Sequence, residues 1–195
     1  MNPTETRPSL LVRVRDTGDH VAWSQFVDLY APLIHGYGRK HGLQDADAAD
    51  LVQEVLQAAA KNLAKFEYDT QKGTFRSWLY RVTRNKFLNW VERKKQLANG
   101  SGDTRVCEML KQHPAEDERN WETQHKWQLV NWAACRVEHE FQKNTWLAFY
   151  QTTLEQQPAA QVAKTLGMSV GAVYIAKSRV LTKIRVVIAE VEGED

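Results

Sequence analysis

The chain has 195 residues, 43% apolar, 26% charged and 10% aromatic, with a formal net charge of +2. That composition excludes a mostly disordered chain, and at about 100–150 residues per domain the length suits two small domains. Its apolar runs, such as Val186-Val187-Ile188-Ala189, are only a few residues long and fall far short of the roughly 20 residues of a membrane-spanning helix. The polar start Met1-Asn2-Pro3-Thr4-Glu5-Thr6-Arg7 reaches only a five-residue stretch, Leu10 to Val14, broken by Arg13, so no export signal is expected. With Cys107 and Cys135 as the only cysteines, a cytoplasmic location is expected.

Helical periodicity runs through the chain and strand signals are lacking, so an all-α fold is predicted. Ala22, Phe26, Leu29, Tyr30, Leu33 and Tyr37 recur at steps of three and four, giving a helix from near Asp19 to Gly36–Gly42. Ala48, Leu51, Val52, Val55, Leu56, Ala59 and Leu63 repeat the pattern, with Asp45 or Asp47 as N-cap. A turn-rich loop, Glu67 to Thr74, leads into a third helix from about Phe75 to Lys95. At about 100° per residue, Phe75, Trp78, Leu79 and Val82 share one side of it, and Arg76, Tyr80, Arg84, Lys94 and Lys95 another. Phe87, Leu88 and Val91 do not extend that apolar stripe and fall nearer the basic side.

From Gln96 to about Gln124 the periodicity fails, and Asn99-Gly100-Ser101-Gly102-Asp103 and His113-Pro114 mark a linker followed by an acidic helix start. Trp127, Val130, Ala134, Val137 and Phe141 restart a helix, and Trp146 to Thr153 form another. Residues 158–186 fit a helix-turn-helix. Ala163 permits a close backbone approach, Gly167 supplies positive φ at the turn, and Ser169 caps the second helix. If Val173, Ala176, Val180, Ile184 and Val187 form its buried face, Gly171, Ile175, Ser178 and Thr182 turn outward, flanked by Tyr174, Arg179 and Arg185. Small groups bordered by cations suit a recognition helix in a major groove.

Charge supports two polyanion contacts. Residues 72–95 hold eight basic residues against Glu92 alone, a net +7, and residues 164–185 hold five with no acid, whereas residues 98–145 carry a net −2. Clustered Lys and Arg bind phosphate chains by displacing condensed counterions.

Asp50-Leu51-Val52-Gln53-Glu54-Val55, then Gly73-Thr74-Phe75-Arg76-Ser77-Trp78-Leu79-Tyr80-Arg81-Val82-Thr83-Arg84-Asn85, a basic tail, a variable linker and a terminal helix-turn-helix carry a specific likeness. The pattern resembles the extracytoplasmic-function (ECF) group of the bacterial sigma-70 family, over roughly residues 10–95 and 127–189. The resemblance implies a region 2-like domain at 1–95, a flexible linker at 96–125 and a region 4-like helix-turn-helix domain at 126–195. It implies a non-enzymatic initiation subunit without a cofactor that binds the clamp helices and flap of core RNA polymerase, recognises minus-35 and minus-10 promoter elements and promotes melting. An anti-sigma factor that hides both DNA surfaces is a further partner known in that family, and no membrane contact is expected.

By position, the resemblance assigns Asp50, Gln53 and Glu54 to polymerase binding, and Phe75, Arg76, Tyr80, Arg84, Asn85 and Lys86 to the minus-10 element. Stacking of an unpaired base on an aromatic or cationic wall contributes about 1–3 kcal/mol, and the Asn85 amide both donates and accepts. Trp78 is expected in the core with Leu79 and Val82. Tyr174, Ile175, Ser178, Arg179 and Lys183 are assigned to the minus-35 element. Many members carry an Arg- and Ser-rich run where this chain has Tyr174-Ile175-Ala176, and Gln161 replaces a Glu, which bears on the DNA sequence bound rather than on the fold.

The alternative is a stand-alone helix-turn-helix repressor, which leaves the first basic helix without a task and has no zipper-like heptad to dimerise it. Cys135 and His139, with Cys107 and His113, form no tight Cys-x-x-Cys pair and are read as a buried thiol near a surface His rather than a metal site.

Overall fold

The computed structural model describes residues 9–16, 18–63, 74–98 and 114–192, and every regular element among them is helical. In chain order these are α1 (Leu10–Arg13), α2 (His20–Lys40), α3 (Asp45–Leu63), α4 (Phe75–Ala98), α5 (Pro114–Val137), a 3-10 turn at Glu138–Glu140, α6 (Lys143–Thr153), α7 (Ala159–Leu166) and α8 (Val170–Glu192). The chain divides into two units, one of residues 11–128 and the other from Leu129 onward with Leu10. The expected loop at 67–73 and the Gly-rich stretch at 99–103 lie outside the described residues, as do Cys107 and His113.

In the first unit α2 packs on α3, and α3 on α4. The Asp19 carboxylate caps α2 by accepting from the Ala22 N–H at 2.8 Å, and it also accepts from Arg13 at 2.9 and 3.1 Å. The Ala22 bond and the Arg13 charge together hold this carboxyl below its usual range against a smaller opposing effect of burial. The buried stripes are those of the periodicity: Ala22, Phe26, Leu29, Tyr30, Leu33, Ile34 and Tyr37 on α2, and Ala48, Leu51, Val55, Ala59 and Leu63 on α3. They meet closely at Gly38, where a Cβ would stand only 3.1 Å from Leu43 and 3.3 Å from Ala48 and Leu51. Asp45 and Asp47 are not caps. The Gln44 carbonyl accepts the first bond of α3, from the Ala48 N–H at 2.9 Å, which leaves both acids in the first turn, where they complement the helix dipole.

The buried side of α4 differs from the expected one. It runs Phe75, Leu79, Tyr80, Thr83, Phe87 and Val91, while Trp78 and Val82 are only half-buried. Tyr80 and Phe87 are covered by partners far away in sequence. Phe87 meets Tyr37 edge-on at 5.9 Å and lies 5.5 Å from the His41 ring, and Tyr80 packs on Trp121 at 5.9 Å. Residues 114–125, read from the sequence as linker, are helical, and Asp117, Trp121 and His125 are buried in the first unit. Four-residue steps set those three side chains on one face of α5.

In the second unit α6, α7 and α8 pack pairwise around Ala148, Val162, Ala163, Val173 and Ala176, with Ala159, Leu166 and Met168 at the margin. On α5, Leu129, Trp132, Ala133, Ala134 and Val137 are buried, whereas Trp127 is 53% exposed and Val130 half-buried. α5 ends at Val137, so Phe141 and His139 fall beyond it, and the Cys135 thiol is free and exposed rather than buried.

Candidate nucleic-acid interface

The second unit builds its outer surface from the α7–α8 turn. Gly167 takes φ 65° and its N–H closes α7 onto the Ala163 carbonyl, which also accepts from the Met168 N–H at 2.9 Å. This left-handed residue stops α7 without the cost a side chain would incur there. Ser169 Oγ then accepts from the Ala172 N–H at 3.1 Å and starts α8, as its position predicts. With Val173, Ala176, Val180 and Ile184 buried, the helical period turns Gly171, Tyr174, Ile175, Ser178, Arg179 and Thr182 to solvent, and all six are exposed. Tyr174 is 60% and Ile175 56% exposed. Val187 is half-buried instead of core. Lys183 stands apart from this group: its ammonium is 2.8 Å from the Glu140 carboxylate, which ties it to the body of the unit.

In the first unit the assigned minus-10 residues separate into two sets. Phe75 and Tyr80 are buried and offer no surface to a base. The Phe75 ring meets Phe26 and Tyr30 edge-on at 5.8 and 5.6 Å. The Tyr80 hydroxyl donates to Asp117 Oδ2 at 2.8 Å, and burial together with the Asp117 carboxylate raises this phenol far above its ordinary range. Arg76, Arg84 and Lys86 are half-buried and Asn85 is exposed. Arg84 lies near enough to Tyr37 and Tyr80 to oppose the rise of both phenols. Spacings of four and seven residues set Arg81, Asn89 and Trp78 on the Asn85 side of α4, where Arg81 and Asn89 are exposed and Trp78 is half-buried.

The α3 residues assigned to polymerase line a groove with Asp47, Trp90, Arg93 and Lys94. Asp50 and Gln53 are exposed within it. Glu54 faces α4: Arg93 donates to one oxygen at 2.8 Å and Lys86 approaches the other at 3.3 Å. The Arg93 bond first, then Lys86, overcome partial burial and keep the Glu54 carboxyl below its usual range. Lys94 bonds Asp47 at 3.1 Å and lies 4.3 Å over the Trp90 ring. Much of the charge at the C-terminal end of α4 is therefore balanced by α3. Nothing is described of the Lys95 side chain.

The strongest polar cluster was not anticipated. Tyr37 donates to Asp117 Oδ2 at 2.8 Å, as Tyr80 does, and His41 Nε2 lies 3.1 Å from Oδ1. Burial opposes ionisation of Asp117, but hydrogen bonds from His41, Tyr80 and Tyr37 outweigh it and hold the carboxyl below its ordinary range. Nearby, His125 is 2% exposed, stacks on Tyr30 at 5.7 Å, and has no hydrogen-bond partner at either ring nitrogen among the described residues. No group of three or more His, Cys, Asp or Glu side chains suited to a metal occurs among the described residues. None of the described helices is long and apolar enough to cross a membrane.

Within this helical unit, with its basic α4 beside an acidic α3, residues 26–96 match the family model for sigma-70 region 2. Over 84 residues it is 31% identical to the ECF RNA polymerase sigma factor SigE of Mycolicibacterium smegmatis, a match covering 42% of this chain and about a third, 31%, of that protein. Two solved structures are also similar. The RsbN-BldN complex aligns over 90% of this chain and 96% of that one, with 16% identity and a TM-score of 0.35. CnrH in complex with the cytosolic domain of CnrY aligns over 92% and 94%, with 20% identity and a TM-score of 0.36.

Proposed function

We propose that the chain is an ECF-type RNA polymerase sigma factor, a non-catalytic, cytoplasmic subunit that joins core RNA polymerase, reads minus-35 and minus-10 promoter elements and promotes melting. The observation that carries this reading is the presence, in one chain, of a sigma-70 region 2 domain and a helix-turn-helix whose second helix exposes Tyr174, Ile175, Ser178 and Arg179. A stand-alone repressor would use only the second of these. Duplex minus-35 DNA is assigned to the outer face of α8, with Arg179 as its principal cation. Minus-10 DNA is assigned to the exposed side of α4, where Asn85 stands with Arg81 and the rim of Trp78. Asp50 and Gln53 are the surface offered to polymerase, with Glu54 orienting Lys86 and Arg93 beside them. An anti-sigma factor would act by covering the two DNA faces.

The test is in-vitro transcription from a random promoter pool by purified core RNA polymerase, with and without this protein, followed by sequencing of the transcript starts. Protein-dependent starts sharing two spaced elements are expected. Tight binding to one palindromic duplex without dependent starts would favour the repressor. Arg179→Ala should weaken minus-35 duplex binding about tenfold, in the range of one lost phosphate or base-edge contact, and leave polymerase binding intact. Asn85→Ala should slow promoter opening, followed by permanganate reactivity of unpaired thymines, more than it reduces recruitment. Equal loss of polymerase binding in both variants would contradict that division.

A further inference from the structure

The outer face of α8 presents two large apolar side chains where hydrogen-bonding groups would serve a purely polar readout. Tyr174 and Ile175 are 60% and 56% exposed, on a helix whose own core needs are met by Val173, Ala176, Val180 and Ile184. They stand between the side-chain-free Gly171 and the exposed Ser178 and Arg179, within the stretch of five cations and no acid at 164–185. That charge favours a polyanion over an apolar protein groove as the occupant. In the major groove of duplex DNA the one apolar feature of a base edge is the C5-methyl group of thymine.

We infer that Ile175, with Tyr174 beside it, is a specificity residue that reads a thymine methyl in the upstream promoter element. This rests on the assignment of α8 to duplex DNA. Gly171 lets the helix approach the base edges closely, Arg179 and Ser178 supply the polar contacts on the same face, and Ile175 closes over the methyl and excludes water. Covering one methyl group is worth about a fourfold change in affinity.

The test uses the intact chain, alone and reconstituted with core RNA polymerase, and duplexes selected from a random pool. In the selected duplex each thymine is replaced singly by deoxyuridine, which keeps every hydrogen-bonding edge and removes only the methyl. One position is expected to lose about fourfold in affinity for the wild-type protein and nothing for Ile175→Ala, whose surface position leaves folding untouched. A wild-type protein indifferent to every thymine-to-deoxyuridine change overturns the inference while leaving the promoter reading in place. So does an Ile175→Ala variant that keeps the sensitivity, since the effect would then come from DNA shape. Failure to enrich any duplex, alone or with polymerase, overturns both.

Discussion

Asp117→Ala should destabilise the first unit by about 3–5 kcal/mol, the usual result of removing one member of a buried charged cluster. The residue is 6% exposed, and its carboxylate accepts from two phenols and the His41 ring. Alanine would remove the acceptor of the buried Tyr37 hydroxyl and of the His41 ring and leave the Tyr80 hydroxyl only the Pro114 carbonyl at 3.3 Å, with the Arg84 cation close to both phenols. Asp117→Asn should cost far less, because the amide oxygen accepts from both phenols while the amide N–H faces the His41 ring. Urea unfolding of the full chain, with hydrogen exchange across residues 114–128 to locate the change, distinguishes the two. Equal midpoints for wild type and alanine would show that α5 does not depend on this cluster. The carboxyl's pKa is lowered on folding, so its contribution is present above the ordinary carboxylate range and is lost as pH falls through the lower, folded-state value.

His125 should produce a separate acid sensitivity at higher pH. Burial, then the nearby Arg76 and Lys126 charges, push its pKa from 6.5 down to about 4. The unfolded chain takes up a proton on this ring below about pH 6.5 and the folded chain does not, so stability falls as pH drops from 6.5 towards 4. At 1.36 kcal/mol per pH unit the loss across that window is about 3 kcal/mol. His125→Phe keeps an aromatic ring against Tyr30 and removes two unpartnered nitrogens, so its stability should be flatter over the same window. The readout is the difference between the two proteins' urea midpoints at pH 7 and pH 4.5, which cancels the carboxylates common to both. Parallel pH dependence would mean that His125 is protonated in the folded state.

The helices most legible from the residues were α2, α3, α7 and α8, because each buries a single stripe against neighbours close in the chain and so keeps a clean helical period. The Asp19 and Ser169 caps and the positive φ at Gly167 are local chemistry and were legible for the same reason. The exposed face of α8 followed directly from its buried one. Phe75 and Tyr80, expected at a base-stacking surface, are used as core instead, because an aromatic side chain has the same composition in either role.

The residue pattern by itself determined an all-helical chain, a helix-turn-helix with a defined outer face, two basic segments and the sigma-70 likeness of the first, all of which rest on spacings of a few residues or on local charge. Only the tertiary structure decided which side of α4 faces inward, that residues 114–125 form a helix packed in the first unit, and that Asp117 joins Tyr37, His41 and Tyr80. The physical reason is that the buried positions of α4 step by four from Phe75 through Leu79, Thr83 and Phe87 to Val91, with a threonine at the centre, while the apolar Trp78 and Val82 are only half-buried, so hydrophobicity alone does not mark the inward side. An acidic side chain such as Asp117 reads as solvated until the donors that justify its burial, 37 to 80 residues distant, are folded around it.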